Sequence, residues 1–425
     1  MEYEYAFEMS ASSIRFGPGV TREVGMDLAE LKVKRAMVVT DRNLAKLAPV
    51  ATVLESLKSE GIHFELFDGA HVEPTDISMH EAISFARQGQ FDAYVAVGGG
   101  SAMDTAKAAN LYSTYPADFL DYVNAPIGKG KPVPGSLKPL FAIPTTAGTG
   151  SETTGVVIFD LLARHAKTGI AHRYLKPTLG LIDPENTKTM PAMVATSAGF
   201  DVLVHALESY TTIPYDHRER PARPILRPAY QGRNMVSDLW SSEAIRVAAK
   251  FLPRAVENPD DIEARGRMIL AASYAGVGFG NAGLHLPHGM SYPVSGMARD
   301  YRPPGYLVDG PLIPHGISVV LNAPAAFRFT GPGCPERHLR AAEFLGADVS
   351  QAKPADAGDI LADQLIKLMQ RLHIPNGLSA VGYTKGDIPA LVEGTLPQHR
   401  VIKLSPRPVG PEELTQLFEK SMVIW

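Results

Sequence analysis

The stretch VAVGGGSAMDTAK, residues 95–107, decides how the first half of the chain is read. A short β-rich run meets three glycines, and a helical pattern opens at Ser101. Gly98, Gly99 and Gly100 can take positive φ and let the backbone approach a ligand closely. Ser101 is placed to cap the helix. The free N–H groups and dipole of such a helix start favour an anion such as a pyrophosphate. The spacing is not GxGxxG, so a plain strand–helix turn without a ligand is the competing reading.

Working outward, the same texture recurs. RAMVVTD (35–41) reads as a strand, residues 47–60 as an amphipathic helix, and HFELFD (63–68) as the next strand. DISMHEAISFARQGQ (76–90) is a helix and DAYVAVGGG (92–100) a strand. PLFAIPTT (139–146) and TLGLIDP (178–184) are further strands. Strands alternating with helices imply a mostly parallel sheet covered on both faces. From about Pro191 the period changes to helical, over 191–212, 236–256, 258–280, 313–328, 335–346, 355–373 and 411–424. The expected architecture is an α/β dinucleotide-binding domain over residues 1–186 and an all-helical domain over 187–425, with a ligand cleft between them. Two Pro/Arg-rich stretches, 213–234 and 295–314, are long enough to be either functional loops or disordered.

A second polar run supports a nucleotide. PTTAGTGSETT (144–154) follows a strand and offers Thr145, Thr146, Thr149, Ser151 and Thr154 as donors. In a parallel sheet, loops at strand carboxyl ends share one edge. Asp41 ends the first strand of the alternating pattern. A carboxylate there can bind the adenine ribose hydroxyls and repels a 2′-phosphate, which predicts NAD rather than NADP; an ordinary turn aspartate is the alternative.

The helical half carries metal-ligand chemistry. In GFDVLVHALESY (199–210), Asp201 and His205 are four apart on one helical face, and Glu208 continues that face. GLHLPHGMSYP (283–293) adds His285 and His288, and LIPHGIS (312–318) adds His315. One acid with three histidines suits Fe(II) or Zn(II) and disfavours Mg and Ca, which prefer oxygen shells. Spacing leaves open whether His285, His288 or both would serve.

The bulk properties exclude several classes. Net charge is −4 over 425 residues, which gives no reason to expect a nucleic-acid partner. The single cysteine, Cys334, excludes an internal disulfide and a cysteine-rich zinc site. No apolar run approaches the ~18 residues needed to span a bilayer. The N-terminus MEYEYAFEMSASSIRFG lacks the basic and apolar regions of a secretory signal and the Arg-rich look of a presequence. A cytoplasmic protein is the expectation, or a matrix protein if eukaryotic with its presequence removed.

GGGSAMDTAK, PTTAGTGSE, GFDVLVHALESY, HGMSYP and PHG occur in that order across nearly the whole chain. Together they resemble the iron-containing (group III) alcohol dehydrogenase family, whose fold is shared with dehydroquinate synthase. The runs NLYSTYPADFLDYVNAPIGKGKP, RPAYQGRN, FGNAGLHLPHGMSYP and LPQHRVIKLSPRP resemble the transhydrogenase branch of that family. The resemblance implies hydride transfer from 4-hydroxybutyrate to 2-oxoglutarate through tightly held NAD, with Fe(II) or Zn(II) as the metal and hydroxy and oxo acids as small-molecule partners. It implies Asp201, His205, His288 and His315 as metal ligands. It also implies NAD contacts from Asp41, Gly98, Gly99, Gly100, Ser101, Asp104, Thr145, Thr146, Thr149, Thr154 and Lys167. His288 and Tyr292 are the candidate catalytic residues. Tyr292 stands where the family usually keeps another histidine, which puts a histidine proton relay in doubt. Glu73, in VEPTD, replaces a common Asn near the expected pyrophosphate and is assigned no role. Arg218, Arg220, Arg223, Arg227, Arg233, Arg299 and Arg302 are the candidate carboxylate anchors. A homodimer is the expected assembly. The rival functions are an NAD-dependent 4-hydroxybutyrate or alcohol dehydrogenase that releases NADH, and a non-catalytic nucleotide-binding protein with a vestigial site.

Overall fold

The computed structural model describes residues 2–164, 166–308 and 310–425. The chain divides into two compact units, Ser10–Met190 and a second unit formed by Met1–Met9 with Pro191–Trp425.

The first unit contains β1 (Ser13–Phe16), β2 (Arg35–Val39), β3 (His63–Phe67), β4 (Ala93–Gly98), β5 (Leu140–Pro144), β6 (Val156–Leu161), β7 (Ala166–Ala171) and β8 (Leu179–Ile182). Six of them form one parallel sheet in the order β1-β8-β5-β4-β2-β3, while β6 and β7 make a separate antiparallel hairpin. Alternation along the strands explains the layering. Ala36, Val38, Val95, Val97, Phe141 and Ile143 share one core with Val24 and Leu28 of α1 (Val24–Glu30) and Val50, Val53 and Leu57 of α2 (Ala48–Ser59). The intervening Met37, Val39, Tyr94, Ala96, Leu140 and Ala142 pack with α3 (Asp76–Gly89) and α4 (Gly100–Thr114). Both faces are therefore apolar, as a parallel sheet requires. Strand order reverses between β2 and β4, so the glycine turn after β4 lies at the switch point where such sheets bind ligands.

The β1 strand, α1 and the β6–β7 hairpin were not legible from periodicity. β1 is only four residues, and none of them is buried. The strand expected over 92–100 stops at Gly98, whose φ of 153° ends the extended run. The helix then starts at Gly100 with Gly99 as its N-cap, so Ser101 lies inside the helix and does not cap it.

The second unit is helical: after the short α5 (Phe119–Tyr122) of the first unit come α6 (Ala192–Thr211), α7 (Met235–Glu257), α8 (Ile262–Ala282), α9 (Leu286–Gly296), α10 (His315–Val320) and α11 (Ala323–Thr330). The remainder is α12 (Pro335–Phe344), α13 (Ala357–Arg371), α14 (Ile388–Thr395), α15 (His399–Ile402) and α16 (Pro411–Ser421). α6 is buried on all sides and packs against α7, α8 and α10. The single helix expected over 313–328 is two, because Pro324 can only start a helix there. α9 was hidden by its prolines. Pro287 occupies the first turn, where a missing N–H costs nothing, and Pro293 is tolerated inside. Among the described residues no helix is long and apolar enough to cross a membrane.

The division at Met190–Pro191, with residues 1–9 joining the helical unit, differs from the expected 186–187 boundary. Glu4 explains it. Its carboxylate is fully buried and accepts Nε and Nη2 of Arg227 at 2.9 and 3.1 Å and Nη2 of Arg218 at 3.1 Å. Tyr3 bridges Glu219 in antiparallel fashion, and Arg220 pairs with Glu2 at 2.9 Å. The Arg-rich loop is thus ordered by the acidic N-terminus. Arg227 holds the Glu4 carboxyl down at about 2 against the opposing effect of burial, helped by the Ala6 and Tyr5 N–H groups. The folded value lies below the ordinary one of 4.5, so this contribution is complete above pH 4.5 and fades as pH falls toward 2. Glu4→Gln should cost about 3 kcal/mol at pH 7, the usual cost of removing one partner of a buried ion pair. Urea unfolding at pH 7 and at pH 3 checks both the size of the loss and its shrinkage in acid.

Candidate functional site

α6 presents Asp201, His205 and Glu208 on one face, α9 supplies His288, and His315 is the first residue of α10. One ligand atom from each of Asp201, His205, His288 and His315 lies within 4.8 Å of all the others. Asp201 Oδ1 is 3.4 Å from His288 Nε2 and 3.7 Å from His315 Nε2, and Asp201 Oδ2 is 3.7 Å from His205 Nδ1. Gly316 makes this convergence possible. A Cβ there would sit 1.9 Å from the Ser197 carbonyl oxygen, so only glycine lets the start of α10 lie on α6.

Buried Asp201 Oδ1, His205 Nδ1 and His288 Nε2 make no hydrogen bond. Orphaned polar atoms of this kind are costly unless something engages them. Three imidazoles and one carboxylate, converging, fit one Fe(II) or Zn(II) ion by donor type.

Glu208, read from sequence only as a continuation of the helix face, organises the cluster. Its Oε1 accepts the backbone N–H groups of His285 and His288 at 2.9 and 3.2 Å, capping α9 from outside, while Oε2 bonds His288 Nδ1. That leaves Nε2 of His288 turned toward Asp201, the arrangement by which a carboxylate orients a metal-binding imidazole. His285 is not part of the group. Its Nε2 meets Thr211 Oγ1 at 2.9 Å, and burial pushes it down to about 4.

The charges are strongly coupled. Burial opposes ionised Asp201, yet His205, His315 and His288 outweigh it and hold the carboxyl well below its usual range. Burial pushes His205 down to about 3. Burial also opposes protonated His288, but Glu208 and Asp201 on either side raise it to about 9.

In the α/β unit the glycine turn and the threonine loop lie side by side. The Thr145 N–H donates to the Gly98 carbonyl at 3.1 Å, and a Cβ on Gly100 would come within 2.6 Å of Thr149 Cγ2. No side chain caps α4, so the N–H groups of its first turn are not taken by a cap. Such a bare, close-packed cradle fits a dinucleotide pyrophosphate. Asp41 follows β2 by two residues on the same sheet edge, where its Oδ1 accepts the Asn43 and Leu44 N–H groups at 2.9 and 3.0 Å. Thr154 is buried after the threonine loop. Asp104 uses both oxygens inside the unit, on Ser151 Oγ and the Ile158 N–H. Lys167 is buried between Glu73 at 2.5 Å and Asp160 at 3.2 Å. Glu73, left without a role from sequence, is therefore the ion-pair partner of Lys167.

Comparison with known proteins identifies the family. Residues 11–184 match the family model of iron-containing alcohol dehydrogenase, and residues 229–422 match its C-terminal model. The chain belongs to the iron-containing alcohol dehydrogenase family. It is accordingly a metal-dependent oxidoreductase of a family that works with a nicotinamide cofactor. Among its relatives, the mitochondrial hydroxyacid-oxoacid transhydrogenase of Xenopus laevis is 62% identical over 424 residues, 99% of this chain and 92% of that protein. The Homo sapiens protein of the same name is 60% identical over 99% of this chain and 91% of its own length. A crystal structure of 1,3-propanediol oxidoreductase superposes with a TM-score of 0.85 at 26% identity, covering 98% of this chain and all of that one.

The cluster predicts unequal variants in a metal titration. His288→Ala should abolish binding, His285→Ala should retain it, and Glu208→Gln should weaken it by roughly 10–100-fold. Because metal-free His288 is protonated below about pH 9, metal uptake at pH 7 should release about one proton. Affinity should then rise with pH until pH 9 is reached; calorimetry in buffers of different ionisation enthalpy measures the proton count.

Proposed function

We propose that this enzyme is a hydroxyacid-oxoacid transhydrogenase. It takes hydride from 4-hydroxybutyrate, giving succinic semialdehyde, and returns it to 2-oxoglutarate, giving 2-hydroxyglutarate. The observation that carries this reading is similarity at about 60% identity to transhydrogenases over 99% of the chain, with the four-residue cluster complete. One alcohol is oxidised and one ketone reduced, so hydride and proton balance without any external oxidant.

Asp201, His205, His288 and His315 would hold the ion, with Fe(II) as the proposed metal and Zn(II) the alternative. Gly98 to Ser101, with Thr145, Thr146 and Thr149, would cradle NAD, and Asp41 would receive its ribose. When bound, the metal supplies Lewis-acid polarisation of the substrate oxygen, and the nicotinamide supplies the hydride acceptor and donor. The chain's part is to fix positions. Glu208 locks the orientation of His288, and the packed α6–α10 contact fixes His315. Rigid placement of this kind is worth several orders of magnitude in rate. The proposed setting is the mitochondrial matrix, which similarity to relatives named as mitochondrial supports, and a homodimer is the proposed assembly.

Purified, metal-replete protein should convert 4-hydroxybutyrate and 2-oxoglutarate to equimolar succinic semialdehyde and 2-hydroxyglutarate with no NAD added. A requirement for stoichiometric NAD, with NADH accumulating in solution, would instead identify a plain dehydrogenase.

A further inference from the structure

Both proposed substrates carry a carboxylate, and the arginines singled out from sequence are largely engaged elsewhere. Arg218 and Arg227 hold Glu4, Arg220 holds Glu2, Arg299 pairs with Asp387 at 2.5 Å, and Arg233 donates to the Thr212 carbonyl at 2.8 Å. A different arginine is linked to the histidine cluster through two tyrosines. Arg400, in the LPQHR run of α15, donates from Nη2 to the Tyr292 hydroxyl at 3.0 Å. Its Cζ lies 4.7 Å from the centroid of the Tyr230 ring. Its Nη1 is completely shielded from solvent and has no hydrogen-bond partner. No carboxylate among the described residues forms an ion pair with it.

The position connects this guanidinium to the cluster along two routes. Tyr292 follows His288 by four residues in α9, on the same helical face and about 6 Å along the axis. Tyr230 packs edge-on against Phe279 at 6.4 Å, and Phe279 stacks on His205 with centroids 4.1 Å apart. Gly289, next to His288, admits α15 closely, since a Cβ there would lie 2.6 Å from Ile402 Cγ2. A guanidinium whose shielded Nη1 has no acceptor and which has no ion-pair partner among the described residues is a costly arrangement, and an anion is what offsets it.

We propose that Arg400, positioned by Tyr292 and Tyr230, is the group that receives the substrate carboxylate. This rests on the transhydrogenase reading for the identity of the acids and gives it a structural basis. In 4-hydroxybutyrate the reacting carbon is separated from the carboxylate by two methylenes. In 2-oxoglutarate the reacting carbon is separated from the distal carboxylate by the same two methylenes. One fixed anchor therefore serves both half-reactions, with the reacting carbon presented at the same place each time.

The test is calorimetric titration of 2-oxoglutarate into metal-replete protein, together with single-turnover reduction of NAD by a series of alcohols. Arg400→Leu should weaken 2-oxoglutarate binding by roughly 30–100-fold, the usual loss for a charge-assisted pair, without lowering metal content. Selectivity for 4-hydroxybutyrate over butan-1-ol should fall by a similar factor. The preference for 4-hydroxybutyrate over 3-hydroxypropanoate and 5-hydroxypentanoate should collapse with it. Arg400→Lys should recover part of the binding, and Tyr292→Phe should cost about three- to tenfold. If Arg400→Leu does not fold, Arg400→Lys and Tyr292→Phe carry the same comparison. Binding of 2-oxoglutarate within threefold of wild type in Arg400→Leu, or in Tyr292→Phe where Arg400→Leu does not fold, or equal losses on acids and butan-1-ol, would overturn the assignment. Wild-type protein that binds 2-oxoglutarate through Arg400 yet passes it no hydride would overturn the transhydrogenase reading and leave Arg400 standing.

Discussion

A carboxylate buried in the middle of a helix is the constraint around which the helical unit is arranged. Asp201 sits within α6, itself enclosed by α7, α8 and α10. A lone buried anion would be prohibitively costly. Three imidazoles from three helices answer it, and two of them are delivered by special backbone devices. His205 comes free with helical spacing, one turn on. His288 depends on Pro287 starting α9 and on Glu208 capping that start. His315 depends on Gly316 lying against the Ser197 carbonyl. The packing of α6, α9 and α10 and the convergence of the cluster are one structural fact.

Much of this was legible in the sequence because the relevant signals are local. The alternation that sorts Ala36 and Val38 from Met37 and Val39 is a two-residue pattern, and the sheet's two cores follow from it. The Asp201–His205 spacing and the glycine run 98–100 are equally short-range. Errors appeared where two short-range signals compete. Ser101 looked like a cap because serines usually are, but Gly98 leaves the strand early enough for Gly99 to take that place. The α9 segment, outside the helices expected from periodicity, holds two prolines, yet one lies where helices accept proline.

The features that could not be read are those made by residues far apart in sequence. Glu208 bonds a ring eighty positions away. Glu73 and Lys167 meet across 94 residues. Arg400 and Tyr292 are 108 apart. In each case the residue type hinted at nothing, since acids and arginines are ordinarily solvated; only burial and the identity of the neighbour give the side chain its role. Composition placed the basic residues of 213–234 near one another but not against the N-terminus.

That last contact bears on how the chain matures. The α/β unit is contiguous, so it can complete its sheet as soon as residue 190 has been made. The helical unit cannot. Its segment around Glu4 is synthesised before the α/β unit and must wait for Arg218 and Arg227 before Glu4 has a partner, a separation of 223 residues for the second. Contacts of such long range are slow to form. The segment around Glu4 is therefore among the last parts to be tied down, although it precedes in sequence a unit to which it does not belong.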